Sequence, residues 1–489
     1  MGQVQTSITG VNTPFTAANS SLFVTTGARS PERVSLASSS DTDERQVVTK
    51  HSLYQPRSAE KIEITRRRPT RRSASLFTRD HGRRDMRPGP RVLLLDGDYP
   101  TALVIAQELS EDLDATIVGT GTMRHSRLLR SNYCDVAVTI PPVDDSGFLE
   151  ALWSVIHAHR PQFVLPVGYE SAAVLESVRD DLPSFASVCL PDPDVFEVAA
   201  DKAATMERAA ALDIDVPTDY SRLVEKIDAQ GRPAGSLEAL AFPVFLKARR
   251  EAGGGHGTTA RVADPDQFWD VYDRLEAVAP TGDVLVQECI TGSTSTYGCG
   301  LFVRDGEIEL DVCHEELRSV PRRGGSGTHL RLCRDPELET AATELLREID
   351  WHGVALVEFK RRASGELVLM EINPKFWASY ALASAHGYRF ASTMVATVLG
   401  LEDRLPDRSP QPDGEMVFPL RELYYYARNR EEERLLECLR AVAKPGVPWD
   451  VDRSDLGAWL TPPAGLVRKL PTVDRSRSPD HEPVPLTRR

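Results

Sequence analysis

Two glutamates and an asparagine between Val354 and Tyr380 have the types and spacing to bind a cation. The run Val354-Ala355-Leu356-Val357-Glu358-Phe359-Lys360 leads to a polar turn at Ser364-Gly365-Glu366. Leu367-Val368-Leu369-Met370-Glu371-Ile372-Asn373-Pro374-Lys375 follows. Two apolar runs of strand length around a Gly-containing turn predict a β-hairpin. Strand side chains repeat every two residues, so Glu371 and Asn373 share a face. With Glu358 opposite them, three oxygen ligands would converge, a set that suits Mg²⁺ completed by water and phosphate oxygens. The same pattern also describes a solvated hairpin whose outward positions are acidic.

Upstream residues add phosphate chemistry. Ala241-Phe242-Pro243-Val244-Phe245-Leu246-Lys247 reads as a strand ending in an ammonium, and Gly253, Gly254, Gly255 and Gly257 follow it. Glycines let backbone N–H groups approach phosphate oxygens closely, although such a cluster also serves as a flexible turn. Lys247 can reach the α- and β-phosphates as a point charge. Lys202, opening a helix after Asp201, is a second candidate or simply an exposed helix-start lysine. In the strand Val284 to Ile290 a backbone N–H and C=O at the strand end could read an adenine edge. Together these features suit a nucleoside triphosphate held over a metal pair.

Composition narrows the classes. The 489 residues allow two to four domains, and 41% hydrophobic content is ordinary for a globular chain. No window approaches the roughly 18 apolar residues of a membrane span. Up to Pro90, 15 Lys and Arg stand against 8 Asp and Glu; the whole chain carries −14, so the remainder carries −21. An acidic body does not suit gripping a nucleic-acid backbone. Seven cysteines without CxxC pairs argue against a disulfide framework or a zinc site, and for a reducing cytoplasm. They read as small buried apolar residues.

The elements that must position these residues follow in order. Residues 1–88 form a disordered basic leader rich in Ser, Thr, Arg and Pro. It reads as a basic tail for an anionic partner, an N-myristoylated segment (Met1-Gly2 with Thr6), or an extension preceding a natural start at Met86. Residues 89–195 alternate strand and helix, which predicts an open parallel sheet covered by helices. Its first turn, Asp96-Gly97-Asp98, lacks GxGxxG and would repel a pyrophosphate, so a nicotinamide cofactor is not expected. Residues 196–400 carry the candidate chemistry. Residues 401–472 form a helical extension with one helix over Glu422 to Ala443, whose Leu435-Leu436-Leu439-Val442 stripe reads as core. Residues 473–489 form a disordered tail.

The sequence resembles the ATP-grasp superfamily. A lysine, a strand-end lysine with a Gly-rich loop, Gln287-Glu288-Cys289-Ile290-Thr291-Gly292, Glu358, and Glu371-Ile372-Asn373-Pro374 occur in that order. The preceding α/β segment is similar to the pre-ATP-grasp domain of biotin carboxylase and carbamoyl phosphate synthetase. The resemblance covers about residues 91–400. It implies an α/β and α+β chain: a pre-ATP-grasp open parallel sheet, then a two-subdomain ATP-grasp fold with subdomain A about 210–290 and subdomain B about 291–400.

Carried over, the resemblance puts Lys202 and Lys247 on phosphates, the Gly253 to Gly257 loop over them, and Gln287, Glu288 and Ile290 around the adenine. Glu358, Glu371 and Asn373 would hold two Mg²⁺, for which Mn²⁺ can substitute. Lys375 stands where the family usually has Arg, and keeps the charge without the fork. No carboxylate for the ribose is evident over 292–296.

The implied activity is ATP-dependent ligation of a small-molecule carboxylate to an amine or related nucleophile through an acyl phosphate. Arg318, Arg322 and Arg323 are expected to supply positive charge where the phosphoryl and oxyanion develop. Related enzymes are often dimers. The alternative is an ATP-binding regulatory or assembly protein without turnover.

Overall fold

The computed structural model describes residues 64–66, 88–250, 258–279, 282–292, 295–320, 325–429, 432–443 and 445–461. Most of the leader and all of the tail therefore lie outside the described residues. So do Gly253, Gly254, Gly255, Gly257, Arg322 and Arg323.

The buried runs of the first segment build a parallel sheet. Strands β1 (Ile64–Arg66), β2 (Arg91–Leu94), β3 (Thr116–Gly121), β4 (Val136–Thr139) and β5 (Phe163–Leu165) take the order β1-β4-β3-β2-β5. β1, from the segment read as disordered leader, is antiparallel to β4 at the edge; the other pairs are parallel. Both faces are covered, which is why these strands read as continuous apolar runs. Leu93, Val118, Val138 and Val164 pack with Leu152 and Ile156 of the helix Phe148–His159. Val92, Leu94, Ile117 and Phe163 pack with Ile105 and Leu109 of the helix Pro100–Leu113. Beyond β5, Ser187 adds a single parallel bridge to Phe163.

A three-stranded antiparallel sheet of order β7-β6-β8 follows: β6 (Val244–Ala248), β7 (Thr259–Val262) and β8 (Val284–Glu288). It has its own core, where Val244, Leu246 and Val286 meet Val224, Phe268 and Leu275.

The large antiparallel sheet takes the order β13-β12-β9-β10-β11-β14. Its strands are β9 (Tyr297–Arg304), β10 (Glu307–Val320), β11 (Ser326–Cys333), β12 (Gly353–Arg361), β13 (Leu367–Asn373) and β14 (Glu415–Val417). One face, with Leu301, Ala355, Val357 and Leu369, packs on the helix Pro336–Glu348. The other, with Phe302, Leu330 and Leu356, meets Trp377, Tyr380, Phe390 and Met394, and this core runs on into that of the parallel sheet. Burying each such side chain contributes about 1.5–3 kcal/mol. Within this interface Glu108, fully buried, accepts hydrogen bonds from Tyr380 Oη (2.6 Å), Ser384 Oγ (2.7 Å) and the Ser392 N–H (2.9 Å).

The C-terminal segment returns to both. Residues 448–450 run beside β14, with the Val417 N–H donating to Pro448 O and the Asp450 N–H to Val417 O, each at 3.1 Å. Asp455 then accepts the Asn132 N–H at 3.0 Å, and Tyr133 Oη donates to Asp452 at 3.1 Å. Two helices, Pro419–Asn429 and Glu432–Val442, replace the single helix expected there. Leu436 and Leu439 are 58% and 49% exposed, so the expected core stripe is not core at those positions. Among the described residues no helix is long and apolar enough to cross a membrane.

Gly300 on β9 shows how tightly the loop after β13 lies on this sheet. A Cβ there would sit 2.4 Å from the Trp377 ring. Gly300→Ala is expected to destabilise by about 1–3 kcal/mol, the usual cost of overpacking, and to perturb Trp377 fluorescence. Unchanged melting would show that the loop yields freely.

Candidate active site

The expected hairpin forms, and its register sets the site. β12 and β13 pair antiparallel with Glu358 directly opposite Glu371 and Leu356 opposite Asn373. Paired residues point to the same face, so all three polar side chains share one side. Asn373 Nδ2 donates to Glu358 Oε2 at 3.1 Å. Burial drives the Glu358 carboxyl well above its ordinary range, and the adjacent Glu371 charge adds to this. Glu371 also feels burial, but Lys202 and Lys247, with a hydrogen bond from Glu358 and the charge of Lys375, hold it below its ordinary range. The two carboxyls are therefore pushed apart, Glu358 toward its protonated form and Glu371 toward its charged form.

Both lysines come from outside the hairpin. Asp201 caps the helix Lys202–Ala211 by accepting the Ala203 and Ala204 N–H groups, which is the usual role of Asp at a helix start. This places Lys202, 8% exposed, with its Nζ 3.4 Å from Glu371 Oε2. Lys247, 4% exposed, projects from β6 and donates to Met370 O at 3.0 Å. The hairpin register slips between Glu358 and Phe359, which leaves Met370 as the extra residue of a bulge. A bulged residue has no ladder partner, and here its carbonyl receives the ammonium. Burial, with the nearby Lys202, lowers the Lys247 pKa to about 8, against the pull of Glu371 and Glu358. Two ammonium groups therefore flank one carboxylate at the junction of the small and large sheets.

Three further groups on this face were not read from the sequence. His314 and Glu316 alternate along β10, and His314 pairs with Gly298, itself opposite Glu358. Gly298 makes room: a Cβ there would lie 2.6 Å from the His314 ring. Burial lowers His314 to about 4, so its imidazole is neutral at neutral pH. Burial raises Glu316 to about 7, against the Arg421 charge and the Gly327 N–H, which it accepts at 3.1 Å. Arg421, on the helix Pro419–Asn429, donates to Gly327 O (2.6 Å) and Ala378 O (3.0 Å). The alternation of His314 and Glu316 is a signal the sequence does contain.

The other candidates fall at varied distances from this centre. Gln287 is buried in β8, opposite Phe245. Glu288 is committed: its N–H donates to Thr218 O, and its carboxylate pairs with Arg362 and Thr218. Burial opposes that state, but Arg362 and Thr218 hold its pKa down. Ile290 is half-buried just past the strand. Lys375 lies two residues beyond Asn373, with its N–H on Asn373 O at 2.9 Å.

Arg318 points away from a substrate role. Its guanidinium pairs with Glu422, 1% exposed, through contacts of 2.6 and 2.7 Å. Arg318→Met would leave that carboxylate buried without its cation, at a cost of about 3–5 kcal/mol in denaturant unfolding. Adding Glu422→Met should restore most of the loss. A stable single variant with only a raised carboxylate KM would return Arg318 to the pocket.

The donor set fits a divalent cation. Among the described residues no three His, Cys, Asp or Glu converge. A cation would therefore take Glu358, Glu371 and the Asn373 amide, with water and phosphate completing its shell. Two carboxylates forced together around one proton are the arrangement a cation relieves, by replacing that proton.

Comparison with known proteins agrees with this fold. A family model described as "ATP-grasp in the biosynthetic pathway with Ter operon" matches residues 302–417. The carbamoyl phosphate synthase large chain of Neisseria meningitidis is 24% identical over 306 residues, 56% of this chain and 26% of that protein, so the match spans about a quarter of its length. Biotin carboxylase of Campylobacter jejuni, solved as a β-γ-ATP complex, superposes with a TM-score of 0.55 at 15% identity, over 67% of this chain and 74% of that one. N5-carboxyaminoimidazole synthetase of Staphylococcus aureus, solved with ADP, gives 0.54 at 14% identity, over 71% and 87%.

Proposed function

We propose that this ATP-grasp superfamily protein is an ATP- and Mg²⁺-dependent ligase that joins a carboxylate to an amine through an acyl phosphate. The observation that carries the reading is the Glu358–Glu371 pair beside Lys202 and Lys247. The triphosphate would lie between the small and large sheets with both lysines on phosphate oxygens, and the Gly253, Gly254, Gly255 and Gly257 stretch, outside the described residues, would supply backbone N–H groups to it. Gln287 and Ile290 border the base. Bound Mg²⁺ would neutralise charge on the transferring phosphoryl group; Glu358, Glu371 and Asn373 would hold it.

The chain's own groups do the rest. A substrate carboxylate oxygen forms a bond to the γ-phosphorus as the bond to ADP breaks. An amine then attacks the acyl carbon and inorganic phosphate leaves. Lys375, whose charge reaches Glu371, and Arg421, whose charge reaches Glu316, would supply positive charge to the developing oxyanion. Seven free thiols, five of them buried, suit a reducing cytoplasm.

The test is ADP release by the full chain from MgATP across a panel of carboxylates, alone and with amines, with hydroxylamine as a trap for acyl phosphate. ADP release that requires a carboxylate, with hydroxamate formed, supports the ligase. ATP-stabilised melting without ADP release on any mixture would favour a binding protein instead.

A further inference from the structure

Arg127, Arg421 and Asp450 meet where the parallel sheet, the large sheet and the C-terminal segment come together. Strand order reverses at β2, which has β3 on one side and β5 on the other, and ligands of such sheets bind beyond the carboxyl ends of the strands at that point. Asp98 and Arg127 follow the ends of β2 and β3. Thr101, at the start of the helix after β2, donates to Trp377 O at 3.4 Å, so this crevice faces the loop that follows Asn373.

The three charges feel one another, and Arg421 also feels Glu316, which feels Glu358. A row of charged groups thus leads from the metal-binding hairpin to the crevice. Yet Asp450 forms no ion pair with either arginine among the described residues. Arg127, 9% exposed, reaches only Trp459 O, at 3.4 Å. Its Nε and Asp450 Oδ1 are both buried without a hydrogen-bond partner. Burial raises Asp450 to about 7 even though both guanidinium groups hold it down. Buried polar atoms are nearly always satisfied, and orphans gathered at one place point to a group that completes them.

We propose that Arg127, Arg421 and Asp450 form the pocket for an α-amino acid, with its carboxylate on the arginines and its ammonium on Asp450. A bare carboxylate or a phosphate would satisfy the arginines but repel Asp450, and a bare amine would do the reverse. Only a ligand with both charges meets all three. Of the two pocket arginines, Arg421 is the one that feels Glu316, which in turn feels Glu358 of the hairpin, so the carboxylate is taken to face the phosphoryl donor. The amino acid is then the substrate that ATP activates, an assignment of role that rests on the ligase reading, whereas the pocket itself does not.

The experiment is calorimetric titration of the full chain, saturated with MgADP, with each of the common L-α-amino acids and its des-amino analogue (L-alanine against propionate, L-glutamate against glutarate). At least one amino acid should bind, and its analogue should bind about 100-fold or more weakly, because a site built for an N–H group rejects a ligand lacking it. Asp450→Asn should shrink that ratio to about threefold without changing ADP affinity; Arg127→Met should weaken both ligands. Wild-type discrimination needs no variant, so a misfolded substitution does not block the test. Absence of amino-acid binding, equal binding of an analogue, or discrimination that survives Asp450→Asn overturns the pocket. ADP release with the same compounds separates the two claims. Release with des-amino acids alone keeps the ligase and removes the amino acid. Amino-acid binding with no release on any mixture keeps the pocket and removes the ligase.

Discussion

Glu358→Gln is expected to lower ADP release about 10²- to 10³-fold, the range for loss of one preorganised charge-stabilising contact, while melting of the nucleotide-free protein stays within about 0.5 kcal/mol of wild type. Burial already favours the uncharged form of Glu358, and a glutamine can accept from Asn373 and donate to Glu371. What the amide cannot do is give up a proton to a cation. Glu371→Gln should differ in both measurements. It strips the anion from between Lys202 and Lys247, so the apo protein should melt lower as well as lose turnover. Equal melting losses for the two variants would show that the charge is not localised on Glu371. Full activity in either would remove the hairpin from the chemistry.

Lys247→Met should be nearly as severe, with kcat down about 10²- to 10³-fold and KM for ATP raised. The side chain would lose the phosphate contact proposed for it, and Met370 O loses its donor, an orphaned carbonyl costing about 1–3 kcal/mol. Glu371 loses one of the two cations that keep it charged, so Mg²⁺ affinity should fall too. Titrating Mg²⁺ at saturating ATP separates these effects. A normal Mg²⁺ profile with only weaker ATP binding would limit Lys247 to phosphate contact.

The hairpin was legible because its signals are local: two apolar runs, a Gly turn, one carboxylate on each run, and Asn373 two residues after Glu371. Glu358 does face Glu371, as the alternation required. The strands beside it were harder. Gly298 and Gly300 lower the strand signal of β9, yet each is needed where His314 or Trp377 lies over the backbone. β10 carries five carboxylates in 14 residues, so its apolar side emerges only once both faces of the sheet are known. Arg318 looked like a pocket cation because its neighbourhood is basic and Gly-rich; its partner Glu422 is 104 residues away in sequence. Long-range pairing of this kind leaves no spacing to read. Arg421 and Asp450 were missed for the same reason.

Residues 448–461 have a consequence for the order in which the molecule is finished. The ribosome makes the hairpin with Glu358 and Glu371 well before it makes Asp450, and before Asp452 and Asp455, which fasten the C-terminal segment to Tyr133 and Asn132. A nascent or truncated chain ending before Pro448 would hold the phosphate-side residues but lack the fastening strap and one wall of the crevice. Premature release would thus leave the candidate site half-built.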